Sequence, residues 1–286
     1  MDHVEQPAIS IARMSRAGID TAIDWAAREG WNPGVSDADC FSVTDPEGFL
    51  VARAGQRPVG TISAVDYGDR FAFVGLFMVE PDMRGRGIGS RLWAAAMERV
   101  RGRVAGLDGV VAMQASYARS GFVLAHRNVR FGGRAVRLPR PADAVGVLGP
   151  DDLGAIEAYD EPCFGAPRRD FLAAWVAQPG ALTVGLRDDR GLLGYGTIRA
   201  CRDGFKVGPL FAEGGAVAEA LLDAMLVHAG PGAMVFLDVP EPNVAAARLA
   251  VEHGLSPVFE TARMYAGGDP GLPLHRIFGI TTFELG

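Results

Sequence analysis

The chain has 286 residues, a length that predicts roughly two domains of about 150 residues each. Hydrophobic residues make up 49% of the chain and charged residues 22%, and no apolar stretch approaches the roughly 20 residues that cross a bilayer. Disordered, collagen-like and membrane-spanning classes are therefore excluded. The first seven residues lack the basic start and apolar core of a secretory signal, so we expect a cytoplasmic protein with no membrane partner.

Charge is distributed unevenly along the chain. Residues 1–140 hold 18 arginines and 15 acidic residues, which gives a net charge of +3. Residues 141–286 have a net charge of −9, so the whole chain has a net charge of −6. The first half is therefore the better candidate for binding an anion. No basic stripe is interleaved with aromatic residues, so we expect no nucleic-acid partner. Three widely separated cysteines and five histidines without ligand spacing predict neither a disulfide nor a metal site.

Hydrophobic periodicity in the first half predicts strands and helices in a definite order. The ranges are strand 8–14, helix 17–29, a short segment 37–41, strands 49–54, 58–67 and 71–79, helix 88–101, strand 109–113, a short helix 115–119 and strand 122–131. Turns at 55–58 and 68–69 make the three central strands an antiparallel meander. The helix after residue 79 predicts a parallel pair for the strands on either side of it.

A stiff, proline-containing stretch at 138–142 divides the chain, so we place one domain at 1–140 and a second at 141–286. The order of elements then repeats: strand 144–148, helices 151–159 and 168–176, strands 181–187, 191–201 and 205–212, helix 216–229, strand 233–239, helix 241–252 and strand 256–265. An internal duplication of about 135 residues accounts for the repetition. The expected fold class is α+β, with two tandem domains that each contain a mixed, mostly antiparallel sheet flanked by helices.

The sharpest local feature is the glycine-rich turn between strand 71–79 and helix 88–101. It runs Arg84-Gly85-Arg86-Gly87-Ile88-Gly89-Ser90. Backbone N–H groups at a helix start bind phosphate, and glycines let a ligand approach the backbone. The dinucleotide-binding motif is excluded because residue 90 is serine, and the P-loop is excluded because no Gly-Lys-Ser/Thr follows. The turn therefore predicts a phosphate site of another kind.

This turn resembles the Gln/Arg-x-x-Gly-x-Gly/Ala signature of the GCN5-related N-acetyltransferase (GNAT) family, which Arg84 to Gly89 match. The resemblance extends through the first half. It implies that acetyl-CoA is the co-substrate, with its pyrophosphate on the turn and its pantetheine arm along the preceding strand. The residues that the resemblance assigns to acetyl-CoA are Phe77, Met78, Val79, Arg84, Gly85, Arg86, Gly87, Ile88, Gly89 and Ser90.

The stretch from Tyr117 to Phe122 also looks like a family motif, Tyr-x-x-x-Gly-Phe. Tyr117 could protonate the departing thiolate, and backbone N–H groups at the end of strand 71–79 could polarise the thioester carbonyl. The alternative for Tyr117 is a packed aromatic ring with a solvent-facing hydroxyl. Stretches at 29–34, 107–110 and 263–265 resemble the two-domain branch that includes holothin acyltransferase-like proteins, which does not identify the substrate.

The general base stays open at this point. Many relatives carry a glutamate within the strand before the turn, but residues 71–79 contain no carboxylate. Glu80, Asp66 and Asp69 are close in sequence but are more typical of surface and turn positions, and ordered water would need none of them. In the family that the chain resembles, the loop between the first helices borders the acceptor pocket. The candidates for the acceptor site are therefore Trp31, Asn32, Asp37 and Asp39. The alternative is that these four residues are structural loop positions.

The second copy departs from the motif. Residues 211–216 contain no arginine and add a carboxylate, so we expect its phosphate site to be lost and one acetyl-CoA site to remain in the first half. The acidic second half either completes the acceptor pocket or acts as a built-in partner of the first.

We therefore expect an N-acetyltransferase that moves an acetyl or short acyl group from CoA to a primary amine of a small molecule, without a metal. Two alternatives stay open. The missing strand carboxylate favours a non-catalytic acyl-CoA-binding or regulatory module, and an open groove, in place of a roofed pocket, would favour a protein-lysine acetyltransferase. A monomer is reasonable because each half can cover the other's sheet edge, and a homodimer is the other option.

Overall fold

A computed structural model describes residues 8–134 and 144–286. The domain boundary predicted at 140/141 lies outside the described residues. Within these two ranges, no helix is long and apolar enough to cross a membrane.

The first half begins with one strand and two helices, continues with the three-stranded meander, and ends with a helix between two strands. In chain order its elements are β1 (Ile9–Arg13), α1 (Arg16–Arg28), α2 (Asp37–Thr44), β2 (Phe49–Ala54), β3 (Arg57–Tyr67), β4 (Phe71–Val79), α3 (Ile88–Arg99), β5 (Val104–Val110), α4 (Gln114–Ala118) and β6 (Val123–Arg134).

The second half repeats this order and adds one short strand. Its elements are β7 (Val145–Val147), α5 (Leu153–Phe164), α6 (Arg169–Ala177), β8 (Leu182–Asp188), β9 (Gly191–Ala200), β10 (Phe205–Ala212), α7 (Gly215–Ala229), β11 (Met234–Pro240), α8 (Val244–Glu252), β12 (Ser256–Ala266) and β13 (Ile277–Gly279). The α+β class, the antiparallel meander and the parallel pairing of β4 with β5 are confirmed.

One predicted strand is misplaced, and one strand of the structure was not predicted. Strand 109–113 lies instead at Val104–Val110, and Val111–Met113 form a 3-10 turn. Gly106 and Gly109 obscure the strand pattern; they are required because the rings of Phe73 and Tyr117 fill the space a Cβ would occupy. The second error is an omission, since no strand was expected after residue 266. β13 has only three residues, too few for a pattern, and its pairing with β10 joins distant parts of the chain.

The two halves share one sheet of 13 described strands because β6 of the first half and β12 of the second are exchanged. The strand order is β1-β2-β3-β4-β5-β12-β6-β11-β10-β9-β8-β7, with β13 beside β10. β12 of the second half pairs with β5 of the first, and β6 of the first pairs with β11 of the second. The structure therefore couples the two copies through the backbone hydrogen bonds of the exchanged strands.

Helices cover both faces of this sheet. Phe71 and Phe73 of β4 face the core that contains α1, α2, α5 and α6, whereas Ala72 and Val74 face the one that contains α3. This alternation is the period of two expected of a strand buried on both sides. The core on the side of Phe71 runs through both halves, and α7 and α8 pack in a separate core of the second half.

Candidate active site

The candidate site is a cavity that opens where two parallel strands separate. β4 and β5 pair only from Phe71 to Val74 and from Val104 to Leu107, although both strands continue beyond these residues. A cavity of about 460 Å³ lies between their diverging ends. Its lining residues are Glu29, Trp31, Val74, Gly75, Leu76, Phe77, Met78, Val79, Arg84, Trp93, Leu107, Asp108, Gly109, Val110, Met113, Tyr117, Phe259, Thr261, Phe283 and Glu284.

A β-bulge in β4 creates this divergence. The register against β3 shifts between Thr61 and Ser63, opposite Gly75 to Met78, and Leu76 has a φ of +47°, a conformation that costs a non-glycine residue energy. Past the bulge, Leu76 and Met78 face the core that Phe71 and Phe73 face before it. The Thr61 hydroxyl donates to the Leu76 carbonyl (2.7 Å), which holds the bulge in place. Met78 and Val79 pair again with β3, but the edge of β4 that faces β5 has no partner among the described strands beyond Val74, which is where backbone donors of an oxyanion site can lie.

The glycine-rich turn lies at the end of the cavity and opens into α3. Gly85 and Gly87 have φ values of +77° and +75°, which favour glycine, and nothing lies within 4 Å of a Cβ at either position. Gly87 caps α3 without a side-chain hydrogen bond, so the first N–H groups of the helix are left for a ligand. This open backbone with a positive helix end suits a pyrophosphate.

The residues assigned to acetyl-CoA lie partly in the cavity lining and partly in the glycine-rich turn. Phe77, Met78, Val79 and Arg84 line the cavity. Residues 85–90 form the turn and the first residues of α3. Arg84 is held by its own hydrogen bonds, from Nε to the Val79 carbonyl (2.9 Å) and from Nη2 to Glu29 (3.2 Å).

Tyr117 lines the cavity on the α4 side. Its ring packs beside Trp93, with centroids 5.4 Å apart, and covers Gly109. Burial raises the pKa of Tyr117 to about 12, so its hydroxyl stays protonated at neutral pH. Such a group is protonated when the reaction begins, so it can donate a proton to a thiolate.

Of the four acceptor-site candidates, Trp31 lines the cavity and three lie elsewhere. The Asn32 side chain bonds to the backbone of Asp203 in the second half (2.9 Å). Asp37 is buried against Arg199 (2.7 Å), and the exposed Asp39 pairs with Arg16 (2.6 Å). The side chains of these three residues bind other segments of the chain, and they do not line the cavity.

The base candidates close in sequence are also engaged outside the cavity lining. Glu80 pairs with Arg28 (2.9 Å), and Asp66 pairs with Arg99 (3.2 Å). Asp69 lies in the turn before β4.

The second half supplies part of the cavity wall, in line with the expectation that it completes the acceptor pocket, but the sequence does not indicate which of its residues do so. Phe259 and Thr261 of β12 line the cavity, as do Phe283 and Glu284 from the segment after β13. No local motif marks these positions, because strand exchange and the path of residues 280–286 bring them there. The only available signal was one carboxylate, Glu284, in an otherwise uncharged stretch from 277 to 286.

Buried ion pairs fix the two exchanged strands in equivalent ways. Arg263 of β12 lies opposite Asp108 of β5 and donates to it (2.6 Å). Arg130 of β6 lies opposite Asp238 of β11 and also donates to it (2.6 Å). The same residue types thus meet at matching register positions, once in each direction of the exchange, as a duplicated domain requires.

The equivalent gap in the second half is filled by the chain itself. β10 and β11 pair in parallel only from Phe205 to Val207, and β13 then lies against β10. The Ile280 N–H donates to the carbonyl of Asp238 on β11 (2.9 Å), and a Cβ at Gly208 would overlap the Thr281 carbonyl. β13 and residues 280–281 therefore occupy the space that is open between β4 and β5.

Comparisons with known proteins agree with this architecture. A sequence model of the acetyltransferase (GNAT) family matches residues 17–122, and one of an acetyltransferase (GNAT) domain matches residues 156–279. Holothin acyltransferase of Pseudoalteromonas sp. is 31% identical over 92% of this chain and 90% of its own. A crystal structure of a candidate acetyltransferase from Pyrococcus horikoshii superposes with a TM-score of 0.83 at 22% identity, covering 100% of this chain and 99% of the other. A tandem GNAT protein from the clavulanic acid biosynthesis pathway superposes with a TM-score of 0.62 at 17% identity. The match covers 92% of this chain and 100% of the other.

Proposed function

Because the chain belongs to the GNAT acetyltransferase family and is an acyltransferase, we propose that it transfers an acetyl or other short acyl group from coenzyme A to a primary amine of a small molecule. The observation that carries this proposal is the cavity between β4 and β5, which runs to the glycine-rich turn at the start of α3. A long thioester with a pyrophosphate at one end fits a channel whose far end is a helix N-terminus.

The residues around the cavity suit acyl transfer. Phe77 to Val79 present the free edge of β4 to the pantetheine arm, and Gly85 and Gly87 leave the backbone of the turn accessible to pyrophosphate. N–H groups on the edge of β4 that faces β5, beyond Val74, can stabilise charge on the thioester oxygen. Tyr117 is the proposed acid for the departing thiolate, since burial keeps it protonated.

The acceptor side favours a small molecule over a protein lysine. Trp31, Phe259 and Phe283 form an aromatic wall contributed by both halves, in addition to the walls from β4 and β5. Such a wall encloses a small amine and leaves little room for a peptide backbone. The 31% identity to holothin acyltransferase, which is named for holothin as the group it acylates, supports the same choice.

A single co-substrate site is the simplest expectation. The gap between β10 and β11 is filled by β13 and residues 280–281, and the turn before α7 contains no arginine. The second half thus serves the first by closing its acceptor side.

The test is a panel of primary amines offered with acetyl-CoA while free thiol is measured. We expect thiol release that depends on both substrates, with an acetylated amine identified by mass. Binding of acetyl-CoA without turnover of any amine would support the non-catalytic alternative, and acetylation of peptide lysines in preference to free amines would contradict the small-molecule assignment.

A further inference from the structure

We propose that Glu284, delivered by the second half of the chain, is the catalytic base that takes the proton from the acceptor amine. This inference rests on the proposed function. It answers a question that β4 leaves open, because this strand contains no carboxylate and the carboxylates close to it in sequence are engaged outside the cavity.

Glu284 lies directly against the bulged part of β4. A Cβ atom at Gly75 would overlap the Glu284 carbonyl oxygen, so the two backbones touch at the residue before Leu76. Position 75 must be glycine for this contact to form. The segment that contains Glu284 therefore brings a carboxylate next to Gly75, where β4 has no side chain of its own.

The segment that carries Glu284 is held from several sides. The Tyr67 hydroxyl donates to the Leu285 carbonyl (2.9 Å), and Arg168 donates to the Thr281 hydroxyl (2.8 Å). Within the segment, the Leu285 N–H donates to the Thr282 hydroxyl (2.9 Å). Anchors on either side of residue 284 fix the position of its side chain, as a catalytic group requires.

The carboxylate of Glu284 is buried without the partners that a structural carboxylate has. The residue is 2% exposed, and neither of its side-chain oxygens has a hydrogen-bond partner in the described structure. Leaving a buried polar group unpaired costs stability, so such a group calls for a functional explanation. Glu284 also lines the cavity that the aromatic wall encloses, which places an unpaired acceptor where an ammonium group would enter.

The buried charges around Glu284 are otherwise matched. Six aspartate, glutamate, lysine and arginine side chains of the described residues are buried at this junction: Asp37, Arg130, Arg199, Lys206, Asp238 and Glu284. The two arginines pair with the two aspartates, which leaves Lys206 and Glu284. No ion pair joins these two within the described ranges, and the Lys206 ammonium donates a hydrogen bond of 3.4 Å to the Trp31 carbonyl.

The electrostatic environment suits a base. Burial raises the pKa of Glu284, and Asp37 of α2 raises it further, whereas Lys206 of β10, Arg130 of β6 and Arg199 of β9 oppose the rise. The net effect on the pKa is upward, toward the range in which a carboxylate accepts a proton from an amine efficiently. Burial lowers the pKa of Lys206, and the nearby Arg130 lowers it further.

The proposed step balances as follows. The ammonium form of the acceptor gives one proton to Glu284, and the neutral nitrogen attacks the thioester carbonyl carbon. The carbon–nitrogen bond forms, the carbon–sulfur bond breaks, and Tyr117 protonates the leaving sulfur. The second proton on the nitrogen returns to Tyr117, and Glu284 releases its proton to solvent. One ammonium and one thioester thus give one amide, one thiol and one proton.

The experiment compares Glu284→Gln with Glu260→Gln, an exposed glutamate that borders the cavity-lining Phe259 and Thr261 but lies outside the lining. With acetyl-CoA and the fastest amine of the panel, Glu284→Gln is expected to lower kcat by about 10²-fold and to remove the acidic limb of the pH profile, while acetyl-CoA binding is retained. Glu260→Gln is expected to match the wild type. A rate of Glu284→Gln close to that of the wild type overturns the proposal.

A second measurement separates catalysis from a structural role. Because the folded pKa of Glu284 is raised, its ionisation costs stability as pH rises above the unfolded value of about 4.3. The unfolding midpoint of Glu284→Gln relative to the wild type should therefore rise between about pH 5 and about pH 8. A relative fall would identify Glu284 as a counter-ion for Lys206 and overturn the proposal. Absence of thiol release by the wild type would contradict the proposed function instead, so the two failures are distinguishable.

Discussion

The carbonyl oxygen of Glu284 occupies the space that a side chain on Gly75 would need, so the second half of the chain closes onto the bulge of β4. This contact joins the two copies at the cavity, far from their shared strands in sequence. The second copy contributes a wall and a carboxylate to the site of the first.

Replacing Gly75 with alanine tests this contact. The added Cβ forces residues 284 and 75 apart, and overpacking of this kind costs about 1–3 kcal/mol of unfolding free energy. We expect Gly75→Ala to lower both the unfolding midpoint and the rate of amine acetylation. Gly146→Ala in β7 is the matched control, because nothing lies within 4 Å of a Cβ there, and it should leave both unchanged. Full activity of Gly75→Ala would show that the position of Glu284 does not matter.

A negative charge at the start of α3 tests the pyrophosphate site. Ser90 is exposed in the first turn of the helix, so Ser90→Glu repels a pyrophosphate there without straining the backbone, unlike a side chain at Gly87 with its φ of +75°. We expect acetyl-CoA binding measured by calorimetry to weaken about tenfold, or about 1.4 kcal/mol. Ala94→Glu adds the same charge one turn further on and should bind like the wild type. Equal binding by both variants would move the pyrophosphate elsewhere.

Loss of the Tyr117 hydroxyl tests the acid. Tyr117→Phe should lower kcat by about 10²-fold with little change in acetyl-CoA binding, since the ring and its contact with Trp93 are kept. Tyr159→Phe in the second half is the control, and it should lower stability without lowering kcat. Its hydroxyl donates to the Leu193 carbonyl (2.8 Å), so its loss costs about 1 kcal/mol of stability and leaves kcat unchanged. Unchanged kcat in Tyr117→Phe would contradict the assignment.

Breaking a buried pair tests the exchange of strands. Asp238→Asn leaves the Arg130 guanidinium buried without its carboxylate, which should lower the unfolding free energy by about 3–5 kcal/mol. Burial opposes ionisation of Asp238, but Arg130 holds its pKa below the usual value, so its stabilising contribution is present above about pH 4 and is lost on further acidification. The difference in unfolding free energy between Asp238→Asn and the wild type should therefore shrink as the pH falls below about 4. Asp82→Asn, in an exposed pair with Arg57, should leave the unfolding midpoint unchanged.

Much of the fold and part of the site could be predicted from the sequence. Periodicity located the meander and most helices, and the glycine-rich turn marked the start of α3, because these features depend on residues close together in the chain. The same holds for the cavity-lining positions Phe77 to Val79 and Tyr117, which lie within or next to recognisable motifs.

The rest could not be predicted, because it depends on contacts between distant residues. Exchange of β6 and β12 leaves the local pattern of each strand unchanged, so no periodicity distinguishes a shared sheet from two separate ones. Asp37 looked like an acceptor-site residue because of its loop position, but Arg199, 162 residues away, takes its carboxylate. Glu284 was overlooked for the reverse reason, since only the path of residues 280–286 brings it to Gly75.

The most direct test of one co-substrate site in a chain with two copies is calorimetric titration of the wild type with acetyl-CoA. We predict one equivalent bound, with the same stoichiometry but weaker binding in Ser90→Glu, because β13 and residues 280–281 fill the second gap. Two equivalents would show that the second copy also binds the co-substrate. No binding would contradict the assignment of the cavity between β4 and β5.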